Sequence, residues 1–295
     1  MQDEVPPLGA LDALPVEVRM KLWDRIPASS RRRARSVCSA LRDEIDGLRT
    51  SLVARAPTAP CDRAMLVAGM PALFRRSTAV KALTVKPDMY RYLDRSTVPS
   101  AAGALALAPA LRELTGLQHL DLSNNHIGGH RIGRHHMGAR AGRALAPALS
   151  ELKDLKWLNL RSNDLGPEGV RALAPALAGL TRLEVLHLCS NDLGTDGVRA
   201  LTPALKKLTA LEELGLSDNG LGAAAARALA PALKNLPALE ELDLGSNKLD
   251  AEGARHLATA LAELPALWAL RIDNQLGTGP GAAPALAFLL GMLRG

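Results

Sequence analysis

The chain has 295 residues, a formal net charge of +6, 47% hydrophobic residues and only 2% aromatic ones. That length supports a substantial core, which leucine and alanine must supply. Three cysteines (Cys38, Cys61, Cys189) cannot make a disulfide framework, no apolar run reaches the roughly 18 residues of a membrane-spanning helix, and no basic-plus-apolar leader is read at the start, so a reducing compartment and no membrane partner are expected.

The charge is uneven. Residues 1–76 carry 13 Lys+Arg against 9 Asp+Glu (+4), residues 77–152 carry 9 against 5 (+4), and residues 153–295 carry 14 against 16 (−2). A basic first half raises nucleic-acid binding as one reading. No aromatic platform or recognisable motif accompanies it, so no nucleic-acid partner is expected.

Residues 8–50 read as a small all-α module. Leu14-Pro15-Val16-Glu17 opens a helix, with Pro15 in its first turn. Val18, Leu22 and Ile26 form its apolar stripe, Trp23 stands beside them, and Pro27 stops it. A second helix carries Ala34, Val37, Cys38, Leu41, Ile45 and Leu48 on one face, with Arg31, Arg32, Arg33, Arg35 and Arg42 mostly on the other. So little apolar mass is marginal alone and needs a neighbour to pack on.

Residues 51–78 read as linker and connecting helix. Ala56-Pro-Thr-Ala-Pro60 is the hinge, and a helix over 61–76 is interrupted at Pro71. A solenoid is expected over 79–295. Val80-x-x-Leu83-x-Val85 gives a degenerate first strand, with a helix over 101–112.

From Leu117 onward one frame recurs, starting at Leu117, Leu155, Leu183, Leu211, Leu239 and Leu267. Its ninth residue is Asn125, Asn163, Asn191, Asn219 and Asn247, and in the last unit, one residue shorter, Asn274 is the eighth, giving spacings of 38, 28, 28, 28 and 27 residues. Leu186 and Leu188 alternate as a strand with one buried face requires. The Asn side chain can satisfy backbone groups exposed by the turn that follows. Stacked, these residues form a ladder, a structural feature. Val170, Leu173, Leu177 and Leu180 then mark a helix stripe. Gly169 and Gly197 are expected to let the helix start close to the strand. Pro147, Pro175, Pro203 and Pro231 fall inside the helical segments, predicting short, bent or broken helices.

This L-x-x-L-x-L-x-x-N-x-L pattern resembles the leucine-rich repeat, in its ribonuclease-inhibitor-like subclass. The resemblance implies an α/β fold: a right-handed horseshoe with a concave parallel sheet and convex helices, behind the small all-α N-terminal module. Positions three, five and seven of each frame then face outward. They are His119/Asp121/Ser123, Trp157/Asn159/Arg161, Val185/His187/Cys189, Glu213/Gly215/Ser217, Glu241/Asp243/Gly245 and Ala269/Arg271/Asp273. His119, Trp157, Asn159, Arg161, Val185, His187, Glu213, Glu241 and Asp243 are the candidate contacts for a target protein. Trp157, read as exposed and flanked by Arg161, is the expected anchor.

One break in the period is a ten-residue insertion, 128–137. Four of the seven histidines lie in 126–136. A His cluster can bind Zn²⁺ or Ni²⁺, but no carboxylate or cysteine lies nearby, so a flexible basic loop is the reading. Ala282–Leu293 is expected to close the far end.

The N-terminal module resembles an F-box on Leu14-Pro15-x-Glu17, Leu22-Trp23, Ile26-Pro27 and Val37-Cys38. It departs where Leu41 replaces a frequent aromatic and where Arg31–Arg33 cover an aliphatic position. The resemblance implies that Leu14, Pro15, Val18, Leu22, Ile26, Val37 and Leu41 dock a Skp1-like adaptor of a cullin ubiquitin ligase. Gly169-Val-Arg-Ala-Leu-Ala174, Gly197-Val-Arg-Ala-Leu201 and Gly253-Ala-Arg-His-Leu-Ala258 are similar to the signature of the GALA proteins, F-box effectors that pathogenic bacteria inject into plant cells. That resemblance implies secretion into the host cytoplasm; action in the cytoplasm of its own cell is the alternative. No nucleotide-binding, metallohydrolase or nucleophile-elbow motif occurs. The expected protein is therefore a non-enzymatic receptor without cofactor. A plain repeat module with a helical cap is the runner-up, and an accessory unit for a GTPase a third reading.

Overall fold

A computed structural model describes residues 51–55, 80–86, 101–125 and 136–272. The F-box-like module, the histidine-rich insertion up to residue 135 and the segment after 272 lie outside the described residues.

Eight strands form one parallel sheet in strict sequence order. They are β1 (Ser51–Arg55), β2 (Ala82–Lys86), β3 (His119–Asp121), β4 (Trp157–Asn159), β5 (Val185–His187), β6 (Glu213–Gly215), β7 (Glu241–Asp243) and β8 (Ala269–Arg271). Helices α1 (Ala101–Arg112), α2 (His136–Leu149), α3 (Gly166–Leu177), α4 (Gly194–Leu205), α5 (Ala223–Leu233) and α6 (Ala251–Leu261) alternate with β2 to β8. This is the α/β horseshoe, sheet inside and helices outside. The helix over 101–112 stands where the sequence places it.

Register runs straight through the frame: Leu83, Leu120, Leu158, Leu186, Leu214, Leu242 and Leu270 pair in line. A one-residue slip would turn this whole leucine row to solvent. Frame leucines such as Leu155, Leu158 and Leu160 are completely buried, as are Val170, Leu173, Leu177 and Leu180 of the helix stripe. The core is one continuous leucine–alanine column shared between neighbours. Each unit covers the next unit's apolar face, as solenoid stability requires.

The Asn ladder is present. Asn163, Asn191, Asn219 and Asn247 are the buried polar residues among those described. Asn191 shows the logic. Its Nδ2 donates to Leu160 O of the preceding unit at 2.8 Å and to Leu188 O of its own at 3.0 Å. Its Oδ1 accepts from the backbone N–H groups of Asn163 at 3.2 Å and Leu165 at 3.3 Å. One amide thereby satisfies backbone groups of two consecutive units. The helix starts join in: Gly166 N donates to Asn191 O at 2.9 Å and Gly194 N to Asn219 O at 3.0 Å.

The turns need left-handed backbone. Asn124, Ser162, Ser190, Asp218 and Ser246, each just before a ladder Asn, have φ of 51° to 58°. Short polar residues tolerate that region better than most side chains.

Three expectations change. First, Ser51–Arg55, assigned to linker, is a strand paired with β2. Its frame is disguised: Arg49 replaces the first leucine, Ala54 the third and Pro57 the ladder Asn. Second, the prolines do not break the helices. Pro147, Pro175, Pro203 and Pro231 sit two residues before each helix end. The disturbance falls on the turn before each proline, where the carbonyl four residues back loses its N–H partner, and each helix runs on through it. Third, Gly169 serves the neighbouring unit as well as its own, where a Cβ would lie 3.1 Å from Leu165 Cβ, just as one on Gly197 would lie 2.9 Å from Leu193 Cβ. A Cβ on Gly169 would also lie 2.9 Å from Gly138 O, so its missing side chain lets α3 approach α2.

Candidate functional site

The concave face is built from odd frame positions, because strand side chains alternate. At the third position His119, Trp157, Val185, Glu213, Glu241 and Ala269 stand side by side in register. At the fifth, Asp121, Asn159, His187, Gly215, Asp243 and Arg271 do the same.

Trp157 is half-buried rather than free-standing. Its ring stacks on His119, with centroids 6.4 Å apart and planes 30° apart. On the other side His187 meets it edge-on at 5.9 Å and 60°. Both geometries suit the ring quadrupole. His187 Nε2 lies 2.9 Å from Glu213 Oε1, which accepts in the tautomer that carries the proton on Nε2. Four residues from four successive strands thus form one connected row, His119–Trp157–His187–Glu213. Arg161 lies four residues beyond Trp157 and is exposed; the rings flanking the indole are those of His119 and His187, not its guanidinium.

Other expected contacts fall differently. Asn159 and Asp243 turn part of their polar groups back on the chain: Asn159 Oδ1 accepts from Arg161 N at 3.0 Å, and Asp243 Oδ1 from Gly245 N at 2.9 Å. Val185 is half-buried between Trp157 and Glu213 in register, and Glu241 follows Glu213 on the next strand. Cys189, Gly215 and Gly245, read as outward, are buried. Gly215 explains part of this. A Cβ there would lie 2.8 Å from Cys189 Sγ and 3.3 Å from His187 Cδ2. The space its side chain would take is filled by those two residues, and His187 is held beside Trp157 and Glu213.

Sequence reasoning missed Trp268. It is 65% exposed beside β8, and its Nε1 donates to Glu240 Oε2 at 3.2 Å. The signal was available: Trp268 occupies the second frame position, where Gln118, Lys156, Glu184, Glu212 and Glu240 precede it.

Among the described residues no group of three or more His, Cys, Asp or Glu could hold a metal ion. No helix among them is long and apolar enough to cross a membrane.

Comparison with known proteins agrees with the geometry. Models described as Leucine Rich repeat match residues 152–174, 180–201 and 235–258, and a second such model matches 116–133. The repeating unit is a leucine-rich repeat. The matched residues include β3, β4, β5 and β7, and hence His119, Trp157 and His187 of the row. No curated protein matches the chain. Among solved structures it is similar to leiomodin-1 actin-binding site 2, at 24% identity over 37% of this chain and 65% of that one, TM-score 0.34. It is also similar to the leucine-rich-repeat ectodomain of the Arabidopsis receptor kinase HAESA, solved with an N-terminally extended IDA peptide hormone. There the identity is 18% over 70% of this chain and 32% of that one, TM-score 0.40. The chain therefore spans less than two thirds of either neighbour.

Proposed function

We propose that this chain is a protein-binding scaffold whose concave sheet seats a target protein, and whose residues 8–50 recruit a Skp1-like adaptor. It would then serve as substrate receptor of a Skp1–cullin–F-box type ubiquitin ligase, with ubiquitin transfer done by other subunits. The observation that carries the binding half is the His119–Trp157–His187–Glu213 row. Repeat stacking uses the buried leucines and asparagines; the row is an additional, half-exposed amphipathic strip on the open side of the sheet. Tryptophan with polar neighbours is the usual composition of a binding anchor.

The adaptor half rests on Leu14, Pro15, Val18, Leu22, Ile26, Val37 and Leu41, whose pattern is F-box-like, and on their order ahead of the repeats. The resemblance of the repeat helices to the GALA signature supports a bacterial effector delivered into the host cytoplasm. Purified full-length chain should capture a plant Skp1-like adaptor, and Leu14→Ala with Pro15→Ala should abolish capture. Trp157→Ala should keep the adaptor and lose the target. A wild-type chain that captures no adaptor defeats the ligase half and leaves the scaffold.

One observation favours a second reading, a binding module with an N-terminal cap. Residue 50 leads directly into β1, the edge strand of the sheet. Edge strands are commonly covered. In that reading deletion of 1–50 lowers repeat stability and changes no adaptor binding.

A further inference from the structure

The concave sheet has two chemically different halves, and together they specify an occupant. This inference rests on the scaffold reading above. The first half is the ring cluster of Trp157 with His119 and His187. The second is acidic. Glu213 and Glu241 stand in register on β6 and β7. One residue earlier in each strand line, Glu184, Glu212 and Glu240 follow one another at the same 28-residue step.

Neighbouring strands lie ~4.8 Å apart, and like charges placed side by side cost stability. Neutralisation within the sheet is slight. Lys156 Nζ meets Glu184 at 2.6 Å, and Trp268 donates to Glu240. Glu213 faces His187, and Arg271 is in register with Asp243 at the β8 side. Glu212 and Glu241 make no ion pair among the described residues. The ladder asparagines, not these carboxylates, satisfy the turns. The carboxylates that do accept a backbone N–H are aspartates, such as Asp121 from Ser123 and Asp243 from Gly245. Among the described residues Glu213 and Glu241 thus stand side by side on the concave face with His187 as their one side-chain partner, and Glu212 beside them has no ion pair. A cation from outside relieves that repulsion. Gly215 and Gly245 keep the floor low beside them.

We propose that the concave face takes an extended segment of a partner protein. In it a large apolar residue packs on Trp157, and a lysine or arginine about three to four residues away meets Glu213 and Glu241. The spacing follows from geometry. β6 is two strands from β4 and β7 is three, ~10 and ~14 Å, and an extended chain advances ~3.3 Å per residue. Trp157 supplies the apolar burial; the glutamates select the sign of the charge and fix direction.

Random dodecapeptides displayed on phage and selected on the full-length chain test this. Enriched clones should carry Lys or Arg three to four residues from Leu, Phe, Tyr or Trp. Their retention should fall at least about tenfold on Trp157→Ala and on the pair Glu213→Gln and Glu241→Gln, while urea unfolding of both variants stays close to wild type. Clones that depend on Trp157 but show no basic bias, or survive the double glutamine variant, overturn the proposal and leave the scaffold reading standing. A cation seven to nine residues from the apolar anchor overturns the extended form in favour of a helical one. Absence of any Trp157-dependent clone defeats both.

Discussion

Asn191→Ala isolates the ladder's contribution. The side chain is fully buried and serves five backbone groups: Leu160 O, Leu188 O and Cys189 O as acceptors, Asn163 N–H and Leu165 N–H as donors. A net intramolecular hydrogen bond contributes about 1 kcal/mol, and a buried group left unpaired costs about 1–3 kcal/mol. With the two amide hydrogens shared among three carbonyls and two N–H groups accepted, about four hydrogen bonds are lost, which puts the loss at about 4 kcal/mol, a large share of a typical domain's stability. In a solenoid this loss is local, between the units of β4 and β5. Trp157 lies before the break and Trp268 after it, so two backgrounds that each keep one of these as the only tryptophan report on the two sides. Urea unfolding followed by fluorescence should show one shared transition in wild type. In the variant both midpoints should fall and separate. The control is Asn235→Ala, whose amide donates to Pro231 O at an exposed site and should cost at most about 0.5 kcal/mol. If the two alanine variants shift the midpoint equally, the ladder is not a principal source of stability.

Gly215→Ala should cost about 1–3 kcal/mol by overpacking against Cys189, and should shift Trp157 emission as His187 is displaced; unchanged emission would show that Gly215 does not position the row. Asp192 has φ of 55°, so Asp192→Ile should destabilise by about 1–2 kcal/mol while Asp192→Gly is close to neutral, a difference that urea midpoints read directly. Lys156→Ala removes a half-exposed pair with Glu184 and should cost no more than about 1 kcal/mol, with the difference vanishing in 1 M salt; a larger, salt-independent loss would mean that the lysine stem, not its charge, matters.

The repeat was legible because period, leucine and asparagine all carry the same information. Leu186, Leu188 and Asn191 each define the frame alone, so the register of six strands followed. β1 was hidden because Arg49, Ala54 and Pro57 erase those three signals together; an edge strand has one neighbour rather than two, and its frame can decay further. The prolines misled because a single-residue propensity rule was applied without the packing that overrides it: α3 runs through Pro175 to Leu177, with Leu173 and Leu177 fully buried in the core.

Within the candidate site, sequence placed Trp157, His187, Glu213 and Glu241 on one face, since alternation alone decides the face of a strand. It could not say that Trp157 lies between two imidazoles, that His187 reaches Glu213, or that Gly215 makes room for both. Those contacts join residues 26 to 38 positions apart, and their distances depend on rotamers chosen by packing across strands. The one-dimensional pattern determined the solenoid because its order is repeated; which side chains touch on its open face is not repeated, so only the folded sheet decides it.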